Sequence, residues 1–85
     1  MQVRILYFAG LREALQNAGE SVQLPAQVKT AGELRQWLIA RGAPYAEALG
    51  AGKAVRISVD QLMAQADTPL ADGVEVAFFP PVTGG

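Results

Sequence analysis

The sequence of 85 residues contains neither cysteine nor histidine. Without cysteine there is no disulfide framework and no thiol chemistry. Without either residue, a Cys–His dyad, a Ser–His–Asp triad and an ordinary zinc site are also excluded. Eight acidic residues remain for acid–base chemistry, and no pair of them stands out in an apolar setting. The sequence therefore predicts no metal site and no independent enzyme.

Charge and hydropathy restrict the possible partners. The formal net charge is −1, and the sequence has no run of lysine or arginine, so we expect neither nucleic acid nor a membrane as a partner. Its apolar runs are far shorter than the roughly 18–20 residues that span a bilayer. A strand-like pattern begins within residues 1–8, which leaves no room for a signal peptide. We expect a cytoplasmic protein.

The apolar pattern predicts one α+β domain. Residues 2–8 and 74–79 are almost continuously apolar, as is typical of central strands. A main helix is predicted from Thr30, which has capping-box spacing to Glu33, to about Arg41. The other predicted elements are a helical turn over 11–17, a turn at 18–20, strands at 21–24 and 54–60, a short helix from Pro44 through Leu49, and a short edge strand at Leu62 and Met63.

This order of elements favours a β-grasp fold, in which a mixed sheet carries one main helix on one face. Because the first and last strands are the most apolar, we expect them side by side in the centre of the sheet. Residues 1–79 are predicted to form the domain and residues 80–85 an extended tail.

Side-chain alternation assigns the predicted strands two faces. The core face is expected to pack Val3, Ile5, Tyr7, Val55, Ile57, Val59, Val74, Val76 and Phe78 against Leu34 and Leu38. The opposite face is expected to be polar at Arg4, Arg56, Ser58 and Glu75, and apolar at Leu6, Phe8, Ala77 and Phe79. If the central strands are parallel, Phe8 and Phe79 form an exposed partner surface beside the tail. Alternatively, the first helix or a loop covers them as a minor core.

The tail combines a stiff base with a slim tip. Pro80 and Pro81 cannot donate to a sheet and favour polyproline geometry, at about 3.1 Å per residue. Gly84 and Gly85 lack Cβ atoms, so they can enter a channel too narrow for side chains. These features predict a terminus that another protein's active site accepts, although a frayed end would also be rich in glycine.

At its C-terminus the sequence resembles the molybdopterin synthase small-subunit family, which is ubiquitin-like. The resemblance rests on Phe78-Phe79-Pro80-Pro81-Val82-Thr83-Gly84-Gly85 and on the preceding residues 70–77. The start of the chain is similar too, where Val3 to Phe8 is followed by Ala9-Gly10-Leu11-Arg12-Glu13. Between about 16 and 53 the likeness lies in the pattern more than in the residues.

The resemblance implies that the chain carries sulfur on Gly85 and binds no cofactor. An adenylyltransferase similar to the ubiquitin-activating enzyme would convert Gly85 to a glycyl adenylate, and a sulfur donor would then displace AMP to leave a thiocarboxylate (1-thioglycine). The large subunit, in a heterotetramer of two small and two large subunits, would supply the catalytic pocket. There the thiocarboxylate would donate sulfur to cyclic pyranopterin monophosphate and build the molybdopterin dithiolene.

By the same resemblance, Phe8 and Phe79 are expected to contact these partners, with Met63 and Arg12 as further contacts. Arg12 is equally compatible with a solvated helix surface. The segment Pro80-Pro81-Val82-Thr83-Gly84 would enter the partner's channel. Three other functions remain open from the sequence: a sulfur carrier for thiamine or cysteine biosynthesis, a ubiquitin-like protein modifier, and a binding module whose tail has no role.

Overall fold

The computed structural model describes residues 1–81. Their order of helices and strands is the predicted one. The elements are β1 (Gln2–Tyr7), α1 (Ala9–Leu15), β2 (Gly19–Gln23), α2 (Ala31–Ile39), α3 (Tyr45–Leu49), β3 (Arg56–Val59), β4 (Leu62–Met63) and β5 (Glu75–Phe79). Over this range, every helix is too short or too polar to cross a membrane.

The strands form one five-stranded mixed sheet in the order β2-β1-β5-β3-β4. The first and last strands are central and parallel, with Arg4 beside Glu75 and Tyr7 beside Phe78. The other neighbouring strands are antiparallel. The predicted β-grasp arrangement is confirmed. Because β5 has a neighbouring strand on each side, the residues after Phe79 continue from the centre of the sheet and not from one of its edges.

One face of the sheet, the inner face, packs against all three helices. Leu11 and Leu15 of α1 and Leu49 of α3 belong to the same buried cluster as the inward side chains of the strands. The largest fully buried side chains are Tyr7, Phe78, Ile5, Leu34, Leu38, Leu49, Val3 and Val76. Full burial of a large apolar side chain contributes about 1.5–3 kcal/mol relative to exposure, so this cluster dominates the stability of the domain. The predicted core face is confirmed, with Val55 and Val59 only partly buried at its margin.

Helix α2 begins at the predicted capping box. Thr30 Oγ1 accepts a hydrogen bond from the Glu33 backbone at 3.2 Å, and Glu33 Oε1 accepts one from the Thr30 backbone at 3.0 Å. The helix ends at Ile39, so the prediction that it continues to about Arg41 is wrong. The backbone N–H groups of Arg41 and Gly42 bond to carbonyls three residues back, which tightens the last turn. Gly42 then adopts a φ of 87°, a conformation that favours glycine.

The turn predicted at 18–20 is also wrong. Gly19 and Glu20 already belong to β2, where they pair with Leu6 and Ile5. The chain turns earlier, at Gln16 with a φ of 50° and at Asn17, whose Oδ1 accepts a hydrogen bond from the Gly19 backbone at 3.1 Å. Pairing with β1, which is distant in sequence, therefore overrides the turn preference of glycine.

The connection from α2 to β3 is held by one arginine. Arg35 Nε donates to the Leu49 carbonyl at 2.7 Å. Its Nη2 donates to the carbonyls of Gly50 at 3.2 Å and Lys53 at 3.0 Å. These three bonds satisfy carbonyls at and after the end of α3. The conformation of residues 49–53, which the sequence did not define, is thus fixed by a side chain of α2.

Candidate functional site

The residues of the predicted tail fall into two groups. Val82, Thr83, Gly84 and Gly85 lie outside the described residues. Pro80 and Pro81 follow β5 without regular secondary structure, and both are half-buried. The described part of the site is therefore the root of the tail and the surface around it.

Phe8 and Phe79 lie at the ends of the two central strands. Tyr7 and Phe78 pair in the parallel ladder, and the Phe8 backbone N–H donates to the Phe78 carbonyl at 3.1 Å. Tyr7 and Phe78 both point into the core, so the residues that follow them project from the opposite, outer face. Phe8 is 45% exposed and Phe79 is half-buried. The two aromatic residues thus flank the root of the tail on one face.

Met63 extends the same surface to the edge of the sheet. Strand pairing places Leu6 beside Ala77, Ala77 beside Ser58, and Ser58 beside Met63. Residues directly opposite in a ladder project from the same face, so these four form a row across the outer face. Met63 is 55% exposed. We define the outer apolar patch by five residues: the exposed Phe8 and Met63, the half-buried Leu6 and Phe79, and the buried Ala77 between them.

Helix α1 does not bury this patch. Its buried residues, Leu11 and Leu15, belong to the main core cluster on the inner face. Arg12 is exposed on α1, and its backbone N–H donates to the Phe8 carbonyl at 3.4 Å. This bond places the backbone of Arg12 in the first turn of α1, next to the backbone of Phe8.

The far end of the outer face is polar. Arg4 pairs with Ser21 on one side and with Glu75 on the other. Asp60 Oδ1 accepts a hydrogen bond from the Glu75 backbone at 3.0 Å. The face therefore changes from charged to apolar along β1 and β5, towards the end where the chain leaves the sheet. An apolar surface of this kind, bordered by polar residues, is typical of a protein-binding site.

A polar cluster that the sequence did not reveal lies on the inner face at these strand ends. Glu20 Oε2 accepts hydrogen bonds from Tyr7 Oη at 2.9 Å, Asn17 Nδ2 at 3.0 Å and Arg41 Nη1 at 2.9 Å. Asn17 Nδ2 also donates to Tyr45 Oη at 3.1 Å. One signal was available: a tyrosine at an inward position of a strand needs a hydrogen-bond partner for its hydroxyl group. The partner of this hydroxyl group, Glu20 on β2, could not be identified from spacing.

The cluster shifts the pKa values of its members. Burial and the Glu20 carboxylate raise the pKa of Tyr7 far above its usual value. Burial also disfavours ionisation of Glu20, but the hydrogen bonds from Arg41 and Tyr7 outweigh it and lower the pKa of this carboxyl. The Arg41 guanidinium in turn has a raised pKa, chiefly because of its hydrogen bond to Glu20. The cluster is thus a fixed ion pair with a neutral tyrosine and has no group poised for proton transfer near neutral pH.

The described residues offer little for catalysis. A pocket of about 230 Å³ lies beside β3, and its lining residues include Gly32, Arg35, Arg56 and Ala66 but no carboxylate. Arg35, its cation on α2, is bonded to backbone carbonyls. Across residues 1–81, no three histidine, cysteine or acidic side chains are grouped closely enough to hold a metal ion. What this part of the chain presents is an apolar surface beside the end of β5.

Comparison with known proteins agrees with this geometry. The sequence model of the ThiS family matches residues 5–85. The chain belongs to the ThiS family. It is 41% identical over 83 residues to the molybdopterin synthase sulfur carrier subunit of Escherichia coli (strain K12), a match that covers 98% of this chain and 99% of that protein. The resemblance to molybdopterin synthase small subunits is therefore confirmed.

Two solved structures share the fold. A Pyrococcus furiosus protein described as molybdopterin converting factor subunit 1 is 29% identical, with a TM-score of 0.79 over 96% of this chain and 99% of that chain. In a complex of subunits 1 and 2 of the molybdopterin-converting factor from Helicobacter pylori 26695, a chain with 24% identity gives a TM-score of 0.69, with 100% of both chains covered. These likenesses support the ubiquitin-like β-grasp assignment.

Proposed function

We propose that this chain is the sulfur-carrier subunit of a molybdopterin synthase and that Gly85 carries the sulfur. The observation that supports this most directly is the full-length similarity, at 41% identity, to a sulfur carrier subunit of that enzyme. The absence of cysteine from the sequence agrees with it, because a carrier without thiols must hold sulfur on a carbonyl carbon. The chain is then a reactant and a subunit, and the catalytic pocket belongs to a partner.

In the proposed reaction, the Gly85 carboxylate attacks ATP and becomes a glycyl adenylate with release of pyrophosphate. A sulfur donor displaces AMP and leaves a thiocarboxylate. The thiocarboxylate sulfur forms a bond to a carbon of cyclic pyranopterin monophosphate, and water hydrolyses the resulting thioester, which returns Gly85 to a carboxylate. Two such transfers build the dithiolene. Because the activation step consumes ATP, we propose that the cycle runs in the cytoplasm.

We propose two partners for the outer apolar patch and the tail. One is the large synthase subunit, and the other is an adenylyltransferase similar to the ubiquitin-activating enzyme. The Helicobacter pylori complex, in which subunit 1 is bound to subunit 2, supports the first. The patch supports a shared docking site, since Phe8 is 45% exposed and Met63 is 55% exposed on the outer face of the sheet, which also carries Phe79 at the end of β5. A tail joined directly to a docked surface reaches its partner's pocket at a high effective concentration.

Reconstitution tests the proposal. The chain is prepared with a Gly85 thiocarboxylate and mixed with a matching large subunit and cyclic pyranopterin monophosphate. We expect dithiolene to form with the thiocarboxylate and not with the unmodified carboxylate or with a variant that lacks Gly85. Failure of the thiocarboxylate form to yield dithiolene would refute the pathway.

Intact mass analysis of the chain from cells distinguishes a sulfur carrier from a protein modifier. A mass gain equal to the exchange of one oxygen for sulfur supports a carrier, whereas isopeptide-linked ladders support a protein modifier. A carrier for another pathway would show the same gain but would yield no dithiolene in the reconstitution.

A further inference from the structure

Arg56 lies beside the root of the tail. In the antiparallel β3–β5 pair it is directly opposite Phe79, the last residue of β5. Opposed residues in such a pair project from the same face, with Cβ atoms about 4.5–5.5 Å apart. The exposed Arg56 side chain therefore leaves the outer face next to the outer apolar patch and adjacent to the point where the chain continues into Pro80.

The Arg56 guanidinium has no charge partner among residues 1–81. The ion pair in this part of the chain joins Arg41 to Glu20, and both cation–π contacts also belong to Arg41. The outer-face carboxylates lie at the other end of the sheet, where Glu75 is beside Arg4 and Asp60 is bonded to the Glu75 backbone. Within residues 1–81, the apolar end of the outer face thus carries a positive charge that forms no ion pair.

A partner that covers the patch would also contact the Arg56 guanidinium. An exposed guanidinium is well hydrated, but contact with an apolar surface would remove part of its water, which is costly unless an acceptor replaces it. The acceptor that best matches the planar donors of arginine is a carboxylate, which can accept two parallel hydrogen bonds. A neutral or basic partner surface at this point would therefore be disfavoured.

We propose that Arg56 is a selectivity residue of the docking surface and that it pairs with a carboxylate of the large subunit which receives the tail. This inference rests on the proposed function. Arg56 lies at the border of the patch and is therefore a charge at the rim of the proposed interface. Such charges affect mainly the rate of association and the salt dependence of that rate. Arg56 thereby favours partners whose tail-entry site has an acidic border.

The test measures binding to the large subunit for the Arg56→Gln, Arg56→Glu and Arg56→Lys variants. The matched controls are Arg4→Gln and Arg4→Glu, which make the same charge changes on the same face but at its polar end. We expect Arg56→Glu to slow association about tenfold at low salt and to change dissociation less than about threefold. Arg56→Gln should have a smaller effect, Arg56→Lys the smallest, and the Arg4 variants less than about a twofold effect.

Salt dependence and charge reversal provide independent measurements. The difference between wild type and Arg56→Glu should shrink as NaCl rises from about 0.05 to 0.5 M, because exposed charges are screened. Replacing one acidic residue at the tail-entry site of the large subunit with arginine should restore binding to Arg56→Glu, a coupling that a double-mutant cycle quantifies. Thermal unfolding of each variant verifies that the fold is retained.

Two outcomes would overturn the inference. One is an Arg56→Glu variant that associates like wild type with the same salt dependence. The other is an Arg4→Glu variant that loses as much binding as Arg56→Glu, which would indicate a general charge effect. In both cases wild type still binds, so the proposed function stands. Absence of binding by wild type would overturn both.

Discussion

Tyr7 Oη donates a hydrogen bond to Glu20 Oε2 over 2.9 Å, while the Tyr7 ring stacks on Phe78 with centroids 6.0 Å apart. Both aromatic residues are fully buried, and the next residue of each strand, Phe8 or Phe79, projects from the outer face. The ends of β1 and β5 are therefore held on the inner face by core packing and by the Glu20 cluster. On the outer face, the same strand ends carry Phe8 and Phe79 of the outer apolar patch. This arrangement gives the root of the tail a rigid support.

The first prediction concerns this hydrogen bond. Tyr7→Phe keeps the ring but removes the hydroxyl group, and Glu20 retains its bonds to Arg41 and Asn17. Because the lost bond is made to a charged group, we expect the free energy of unfolding to fall by about 1.5–3 kcal/mol. Urea unfolding measures this change.

Tyr45→Phe is the matched control, because it removes only the acceptor of a bond from Asn17 and should cost about 1 kcal/mol or less. If Tyr7→Phe proved as stable as wild type, the Glu20 cluster would not stabilise the strand ends.

The second prediction concerns pH. Hydrogen bonds from Arg41 and Tyr7 hold the folded pKa of Glu20 below its ordinary value of 4.5. A group with a lowered folded pKa stabilises the fold fully above its unfolded pKa, and this contribution disappears as pH falls through the folded pKa. The stability difference between wild type and Glu20→Gln should therefore be constant from neutral pH down to about 5 and shrink below about pH 4.5.

Urea unfolding of both proteins at several pH values provides this measurement. Glu33 also has a lowered pKa, through its hydrogen bond to the Lys29 backbone, but it is present in both proteins and cancels in the difference. A difference that grew on acidification would contradict the assigned ion pair.

Features set by local chemistry were predictable from the sequence, and those set by distant pairing were not. The capping box of Thr30 and Glu33 needs only a spacing of three residues, and it was predicted correctly. Glu20, by contrast, belongs to β2 because this segment pairs with β1. Arg41 follows the end of α2 and donates to Glu20, which is 21 residues away in sequence. Neither partner is marked by any periodicity.

The outer apolar patch lies between these cases. Alternation along β1 and β5 was sufficient to place Phe8 and Phe79 on one face, since both strands proved parallel and central. The face occupied by Met63, however, depends on the register of a strand of two residues, and a shift of one residue would have exchanged it with Leu62. That register could be determined only from the fold.

The third prediction uses this pair of neighbours. Met63 lies opposite Ser58 on the outer face, whereas Leu62 lies opposite Val59, whose side chain packs against the core on the other face. We expect Met63→Asp to weaken binding to the large subunit at least about tenfold, because it places a charge in a desolvated apolar contact. Leu62→Asp should change the affinity less than about twofold.

Leu62 is 73% exposed and Met63 is 55% exposed, so neither substitution should unfold the domain, and calorimetric titration can compare the two directly. Equal losses of affinity would indicate that the partner covers the edge of the sheet and not its outer face.

At Gly32 in α2, helix propensity and packing have opposite effects on the stability of an alanine variant, which gives the fourth prediction. Alanine is intrinsically better than glycine in a helix by about 1 kcal/mol. A Cβ at Gly32, however, would lie 2.9 Å from the Ala66 carbonyl oxygen and 3.0 Å from the Ala66 Cβ. The Gly32 backbone N–H already donates to that oxygen at 2.8 Å, so neither backbone can move without losing the bond. We expect Gly32→Ala to lower the free energy of unfolding by about 1–3 kcal/mol.

Gly10 in α1 is the matched control, because a Cβ added there would meet nothing within 4 Å. Gly10→Ala should therefore leave stability unchanged or raise it by up to about 1 kcal/mol, as propensity alone predicts. Thermal and urea unfolding of the two variants give the comparison. If both substitutions stabilised the domain, helix propensity would outweigh packing at both positions. The distance between the start of α2 and Ala66 would then have to be larger than the structure shows.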